Sequence, residues 1–205
     1  MARPVFRKVP VDEERRLVHL DRDRPLVEAA LRDPARFDAL YRKYLAQVYS
    51  YAFYELGDHH DAEDATERTF LLALDALPRF EERARPADGA GASTFRVWLF
   101  QIARNVVANV RRTRRRRPEA PLEAAATVAA PHDVEASAAH RLEAAEAWAA
   151  VRRLPDDRRR ALVLRFVDEM STAEIAGVLD RSEGAVRVLI HRGLRAVARD
   201  LGRHS

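Results

Sequence analysis

At 205 residues with 47% hydrophobic side chains, the chain is long enough for one domain or two small ones, and its patterning reads as two. It contains no cysteine, which excludes disulfides, Cys-ligated zinc and thiol catalysis; no apolar run reaches membrane-spanning length or forms a signal-peptide core, so the expected location is the cytoplasm. Lys+Arg number 36 against 32 Asp+Glu, a net charge of only +4, so any affinity for nucleic acid has to come from local clustering. Lysine occurs only at Lys8 and Lys43. The arginine bias fits either a GC-rich coding preference or the use of planar guanidinium forks on phosphates and guanine edges.

Residues 1–25 mix charges and prolines without periodicity and read as an N-terminal arm. The first domain is expected over 26–117. From Pro34 onward, Phe37, Leu40, Tyr41, Tyr44, Leu45, Val48, Tyr49, Ala52 and Phe53 recur at helical spacing, which predicts one long helix ending at Gly57. Asp58 is positioned to cap the next helix, whose first turns carry Asp61, Glu63 and Asp64 and whose buried side is expected from Ala62, Ala65, Phe70, Leu74 and Leu77. Pro78 closes it. The loop from Arg79 to Thr94 is long for a compact helical unit, a length associated with function or disorder.

A further helix starts at Ser93 or Thr94. Phe95, Trp98, Leu99, Ile102, Val106 and Val110 share one arc, and Gln101, Asn105, Ala108 and Arg112 an adjacent polar one. It runs into six arginines within residues 111–117. Residues 118–140, with three prolines, many alanines and no aromatic side chain, read as a flexible linker with a root-mean-square reach of roughly 25 Å.

The second domain is expected over 141–205. Residues 158–170 give a helix with Leu162, Leu164, Phe166 and Val167 for a small core. Ser171 and Glu174 form a capping box opening a short helix through Leu179, Asp180 and Arg181 make a tight turn, and Ser182 caps a second helix. That is the layout of a helix-turn-helix. On the second helix, Gly184, Arg187, Val188, His191, Arg192 and Arg195 fall on one stripe, opposite Val186, Leu189, Ile190, Leu194 and Val197. A charged stripe suits solvent or DNA; after a capped helix and a short turn it suits a major groove, with arginines on guanine O6/N7 or phosphate. The fold class is therefore all-α: two small helical domains joined by a flexible linker, the C-terminal one a helix-turn-helix.

Three stretches, 61–77 (DAEDATERTFLLALDAL), 93–112 (STFRVWLFQIARNVVANVRR) and 154–197, resemble in order and spacing the extracytoplasmic-function (ECF) sigma factors of the sigma-70 family. The resemblance implies a factor that binds bacterial RNA polymerase core enzyme and directs promoter recognition, DNA opening and transcription initiation. It implies contacts to the clamp helices of the largest subunit through Asp61, Glu63, Asp64, Glu67, Thr69 and Phe70, and to the flap of the second subunit. It also implies minus-10 contacts from Gln101, Arg104, Asn105, Ala108, Arg111 and Arg112, and minus-35 contacts from Arg181, Ser182, Arg187, Val188, His191, Arg192 and Arg195. An anti-sigma factor is a further partner it allows. The chain departs from the family pattern where Glu67 and Arg68 replace a common glutamine-glutamate pair, where Asn109 replaces a frequent aspartate, and in the long loop before Ser93.

Trp98 fits either a core anchor beside Leu99, Ile102 and Val106 or a stacking surface for opening DNA, with the first preferred. His59, His60, Asp61, Glu63 and Asp64 have the composition of a metal cluster but read better as a solvated helix start. No phosphate loop, nucleophile elbow or paired carboxylates stand out, so neither catalysis nor a cofactor is expected. The alternative function is a helix-turn-helix regulator that never acts as a polymerase subunit, which would leave 61–77 and 93–105 without a role.

Overall fold

The computed structural model describes residues 21–85, 88, 90–116 and 146–202. The linker expected at 118–140 and the arm residues 1–20 lie outside them. The described residues form eight α-helices in chain order: α1 (Arg24–Arg32), α2 (Phe37–Leu56), α3 (His59–Ala76), α4 (Phe95–Arg116), α5 (146–152), α6 (Asp156–Phe166), α7 (Thr172–Leu179) and α8 (Glu183–Leu201). Short 3-10 turns precede α2 and follow α3, and the described residues contain no strand.

The α2–α3 turn follows from two residues. Gly57 takes φ 72°, a left-handed C-cap without the Cβ penalty, and the Asp58 carboxylate accepts from the Asp61 N–H to start α3. Helices α1 to α4 bury Leu40, Tyr44, Val48, Tyr51, Phe95, Leu99 and Phe100 at their centre. Phe80, Phe95 and Trp98 pack ring against ring at 5.2–5.9 Å, so Trp98 sits as a core anchor.

Residues 21–25, expected within the N-terminal arm, pack on the first unit. Asp23 is fully buried, Asp21 and Asp23 both accept from the Tyr44 hydroxyl, and Lys43 pairs with both carboxylates. Burial and the two carboxylates push the Tyr44 phenol far up. The backbone of this segment pairs with the far end of the long loop, Arg24 N–H to Gly91 and Ser93 N–H to Asp21.

Three apolar assignments need correction. Leu74 of α3, Phe166 at the end of α6 and Leu194 of α8 are 39%, 55% and 46% exposed, because the buried arcs of these helices are narrower than their apolar content. The apolar residues of α2 also divide: Tyr41 and Leu45 lie outside, whereas Tyr51, Tyr54 and Glu55 are buried. That second buried face of α2 meets the C-terminal helices. One continuous core cluster runs from Val27 to Val186 and joins the two units, so the helices on either side of the linker pack directly together.

Candidate nucleic-acid interface

The capped turn before helix α8 sets the direction in which it presents its stripe. Ser171 and Glu174 complete the capping box of α7, Asp180 closes α7 in the left-handed conformation at φ 55°, and the Ser182 hydroxyl accepts from Ala185 N–H to open α8. Val186 and Gly193 face inward, where a Cβ at Gly193 would come within 3.1 Å of Leu162. Arg187, Val188, His191, Arg192 and Arg195 are all exposed, as are Arg181 and Ser182. Their ion pairs are light. Arg187 lies 3.7 Å from Glu183, and Arg181 2.9 Å from Asp157, both on the surface.

The polar arc of α4 is occupied. Gln101 Nε2 donates to the Gly177 carbonyl at 2.8 Å and Arg104 Nη1 to the Val178 carbonyl at 2.7 Å, both on α7. Asn105, Ala108 and Arg112 of this arc remain exposed, Arg112 donating to Asn109 Oδ1 at 2.7 Å on the surface. Arg111 turns toward Glu55 (3.5 Å) and Asp156 (3.0 Å). The arginine run continues helically to Arg116; Arg114 pairs with Asp58 and Asp61 and donates to Leu56 O, whereas Arg115 and Arg116 project into solvent.

Two buried charges that the sequence pattern does not single out cross between the units. Arg96 is 8% exposed and crosses to the second unit, pairing with Glu174 at 3.3 Å and donating to the Asp168 carbonyl and to Gln47 Oε1. Glu55, its carboxylate wholly buried, receives Arg159 at 3.0 and 3.1 Å, with Arg160 and Arg111 each at 3.5 Å. A charge inside an otherwise apolar arc was the available signal for each, since neither is affordable in a core without a partner. Asp156 joins this cluster: burial pushes its carboxyl up, but Arg111 and Arg159 outweigh that and hold it below the ordinary range. Asp168 goes the other way. It is 3% exposed, neither carboxylate oxygen has a hydrogen-bond partner, and burial raises it well above the usual value despite Arg96 nearby.

Helix α3 places Glu63, Asp64 and Glu67 outward, with Leu71, Leu72 and Leu74 beside them. Tyr41 and Leu45 of α2 complete a shallow apolar groove with Leu71 and Leu74. Asp61 is half-buried against Arg114. Thr69 and Phe70, expected at a protein contact, point inward: the Thr69 hydroxyl donates to Ala65 O, and the Phe70 ring meets Tyr41 at 4.8 Å and Phe37 at 6.4 Å. They hold the helix in place. His59 stacks on Phe53 at 4.3 Å and bonds the Tyr49 hydroxyl through Nδ1, so its ring is engaged in packing.

The long loop is anchored where it is described. Glu82 Oε1 accepts from the N–H groups of Arg83, Ala84 and Thr94 and from the Thr94 hydroxyl, and Arg24 donates to Ala84 O and Ala92 O. Burial raises the Glu82 carboxyl, and hydrogen bonds from Ser93, Ala84 and Thr94 more than reverse this.

Family models described as Sigma-70 region 2 and Sigma-70, region 4 match residues 40–117 and 144–197. The ECF RNA polymerase sigma factor BldN of Streptomyces coelicolor is 36% identical over 179 residues, covering 85% of this chain and 64% of BldN. SigE of Mycolicibacterium smegmatis is 33% identical over 172 residues, with 63% of its length spanned; SigL of Mycobacterium tuberculosis is 33% identical over 180 residues, with 95% spanned. Thus the chain spans a little under two thirds of BldN and SigE. Among solved structures, CnrH in complex with the cytosolic domain of CnrY aligns with a TM-score of 0.64 at 27% identity, over 90% of this chain and 100% of that one. The sigma factor RpoE of Bartonella quintana, solved with the anti-sigma factor NepR, aligns with a TM-score of 0.62 at 19% identity, a likeness of fold.

Proposed function

The chain belongs to the extracytoplasmic-function sigma factors of the sigma-70 family, and we propose that it binds core RNA polymerase in the cytoplasm and directs promoter recognition, DNA opening and transcription initiation without catalysing a reaction itself. The observation that carries this is the joint presence of a region 2 match over 40–117 and a region 4 match over 144–197 in one chain. A DNA-binding regulator would need only the second.

In this reading, the first unit ends with the arginine run near residue 117, and the second begins after a linker at 118–140. The outward acidic residues Glu63, Asp64 and Glu67 and the leucines beside them dock on the clamp helices of the largest subunit. Arg181, Arg187, Val188, His191, Arg192 and Arg195 read the minus-35 element in the major groove, where Ser182 sets the start of the reading helix. Gln101, Arg104, Asn105, Ala108, Arg111 and Arg112 meet the minus-10 element, and Arg115 and Arg116 contact phosphate. An anti-sigma factor is a further partner expected by analogy with the sigma factor RpoE, solved with the anti-sigma factor NepR.

Run-off transcription with purified core polymerase tests the proposal. Discrete transcripts that require both core and this chain are expected, and their start sites yield the promoter motif. Specific DNA binding without any core-dependent transcript would favour the regulator instead.

A further inference from the structure

We propose that the cleft between the ends of α4 and α5 binds a small oligophosphate anion, a diphosphate or triphosphate group free in solution or carried by a nucleotide, through Arg115 and Arg152. The site shares Arg111 and Arg115 with the DNA contacts proposed above and adds Arg152, which has no part in them.

The physical case begins with charge. Arg111, Arg114, Arg115, Arg152 and Arg159 line a cleft of about 300 Å³, at the small end of the range for ligand pockets, and Glu55 is the carboxylate in the lining. Glu55 does not repel an anion there, because its buried oxygens are taken by Arg159 at 3.0 and 3.1 Å and by Arg111 and Arg160 at 3.5 Å. Asp156 is matched by Arg111 at 3.0 Å and Arg159 at 3.1 Å, and Asp58 and Asp61 are matched by Arg114. Arg115 and Arg152 are left over. Both are exposed, and among the described residues neither guanidinium has an ion pair or a hydrogen bond.

The C-terminal end of α2 forms one edge of the cleft, where bare carbonyls would disfavour an anion. They are capped instead: Gly57 N–H donates to Phe53 O at 2.7 Å, and Arg114 Nη1 donates to Leu56 O at 3.2 Å.

The class of anion follows from where the free cations stand. Arg115 lies in the last turn of α4 and Arg152 ends α5, so the two reach the cleft from separate helices. A guanidinium presents a planar fork that fits two oxygens of one phosphoryl group, and two forks on separate helices therefore suit two linked phosphoryl groups. A base has nothing to stack on. Tyr54, the aromatic side chain in the lining, is 6% exposed, and its ring is covered by Trp148 at 4.2 Å. Recognition rests on the phosphates, and a concave cleft admits a small molecule more readily than the convex backbone of a duplex.

Isothermal titration of the full chain with sodium tripolyphosphate, at about 0.15 M ionic strength, tests the site. One saturable site is expected. Arg115→Gln and Arg152→Gln should each weaken it about tenfold or more, the loss of one charge-assisted fork, whereas Arg116→Gln and Arg187→Gln, outside the cleft, should leave it within about twofold. Urea midpoints of the two cleft variants should match the wild type, since neither side chain is paired. Where Arg152→Gln is unstable, Arg152→Lys replaces it, and its loss of the fork with retention of charge should still weaken binding.

No saturable binding, or a loss in Arg116→Gln as large as in Arg115→Gln, overturns the site in favour of diffuse attraction to the arginine run. ATP should bind within about tenfold of tripolyphosphate; a larger preference for ATP would overturn recognition through phosphate alone. Random duplex DNA should bind Arg152→Gln as it binds the wild type, and a duplex loss equal to the tripolyphosphate loss would make the cleft a backbone contact instead. These titrations need no polymerase. A chain that binds tripolyphosphate in this way and yields no core-dependent transcript would refute the sigma-factor reading and leave the anion site standing.

Discussion

Helices α4 and α8 carry the same kind of pattern, a packed arc beside a polar one with arginines, yet they stand in opposite environments. Arg187, His191, Arg192 and Arg195 of α8 face solvent; Arg96, Gln101, Arg104 and Arg111 of α4 are engaged by the other unit. Charge density does not separate them. The difference lies in the neighbours: α8 packs its inner face on α6 and α7, whereas α4 has α2 and α3 on one side and α7 on the other. A polar arc is thus a surface only until a partner with matching acceptors is available within the same chain.

The sharpest way to break this comparison is at Glu55. Replacing Glu55 by Leu removes the carboxylate shared by Arg159, Arg160 and Arg111 and leaves buried guanidinium groups under-compensated, at a cost of about 3–5 kcal/mol. Urea unfolding measures it. The matching change on α8, Arg187→Ala, should leave stability within about 0.5 kcal/mol, because its pair with Glu183 is exposed and 3.7 Å long. A loss at Glu55 no larger than that at Arg187 would mean that the network does not hold the two units together.

The comparison sharpens in DNA binding. Arg187→Ala and Arg192→Ala should each weaken selective binding to minus-35 duplex by about 1–3 kcal/mol and relax specificity at one or two positions. Wild-type selectivity in both would remove the groove-facing assignment. Competition of the variants against scrambled duplex, at fixed salt, provides the readout.

How far the sequence foretold these environments depends on what each residue needed. The capping box at Ser171 and Glu174, the Gly57 stop and the α8 stripe rest on local rules within a few residues, and each appears as expected. The placement of Gln101 and Arg104 rests on a partner more than 70 residues away, across a linker whose composition gives reach but no direction. Arg96 and Glu55 were legible in principle, as charges in apolar arcs, but their partners were not. The outward leucines of α3 have the opposite cause: Leu71, Leu72 and Leu74 exceed what one helical face can bury.

Among the arginines following α4's packed turns, the structure divides a run that looked uniform. Arg114 is tied to Asp58 and Asp61, while Arg115 and Arg116 are exposed. Substituting Arg115 and Arg116 by glutamine should lower the magnitude of the log-log salt slope by up to about 0.9 per lost duplex contact and preserve the ranking of promoters. Arg114→Gln should mainly lower the folding stability of the α3–α4 joint. A changed promoter ranking with an unchanged salt slope would make Arg115 and Arg116 sequence readers.

The smallest effect is expected at Asp168, where the sign is the informative part. Its carboxyl is buried without hydrogen-bond partners and titrates well above the ordinary Asp value, for which burial is the cause, opposed in part by Arg96. The folded chain therefore holds this proton more tightly than the unfolded chain does. Its contribution is fully present below the unfolded value of 3.8 and is lost as pH rises through the raised folded value. The slope it adds to stability approaches, at most, about 1.4 kcal/mol per pH unit within that window. Asp168→Asn removes the ionisation and should flatten the slope there, leaving the neutral-pH variant more stable by roughly 1 kcal/mol or less, since the amide is also under-partnered. Gln101 sits on the same joint and carries no ionisable group, so its alanine variant should shift the whole stability curve without changing its shape. Urea midpoints measured across acid to neutral pH separate the two. If Asp168→Asn lowers stability at neutral pH, the ionised carboxylate is favourably paired with Arg96, and the joint between α4 and the turn before α7 is held by charge rather than weakened by it.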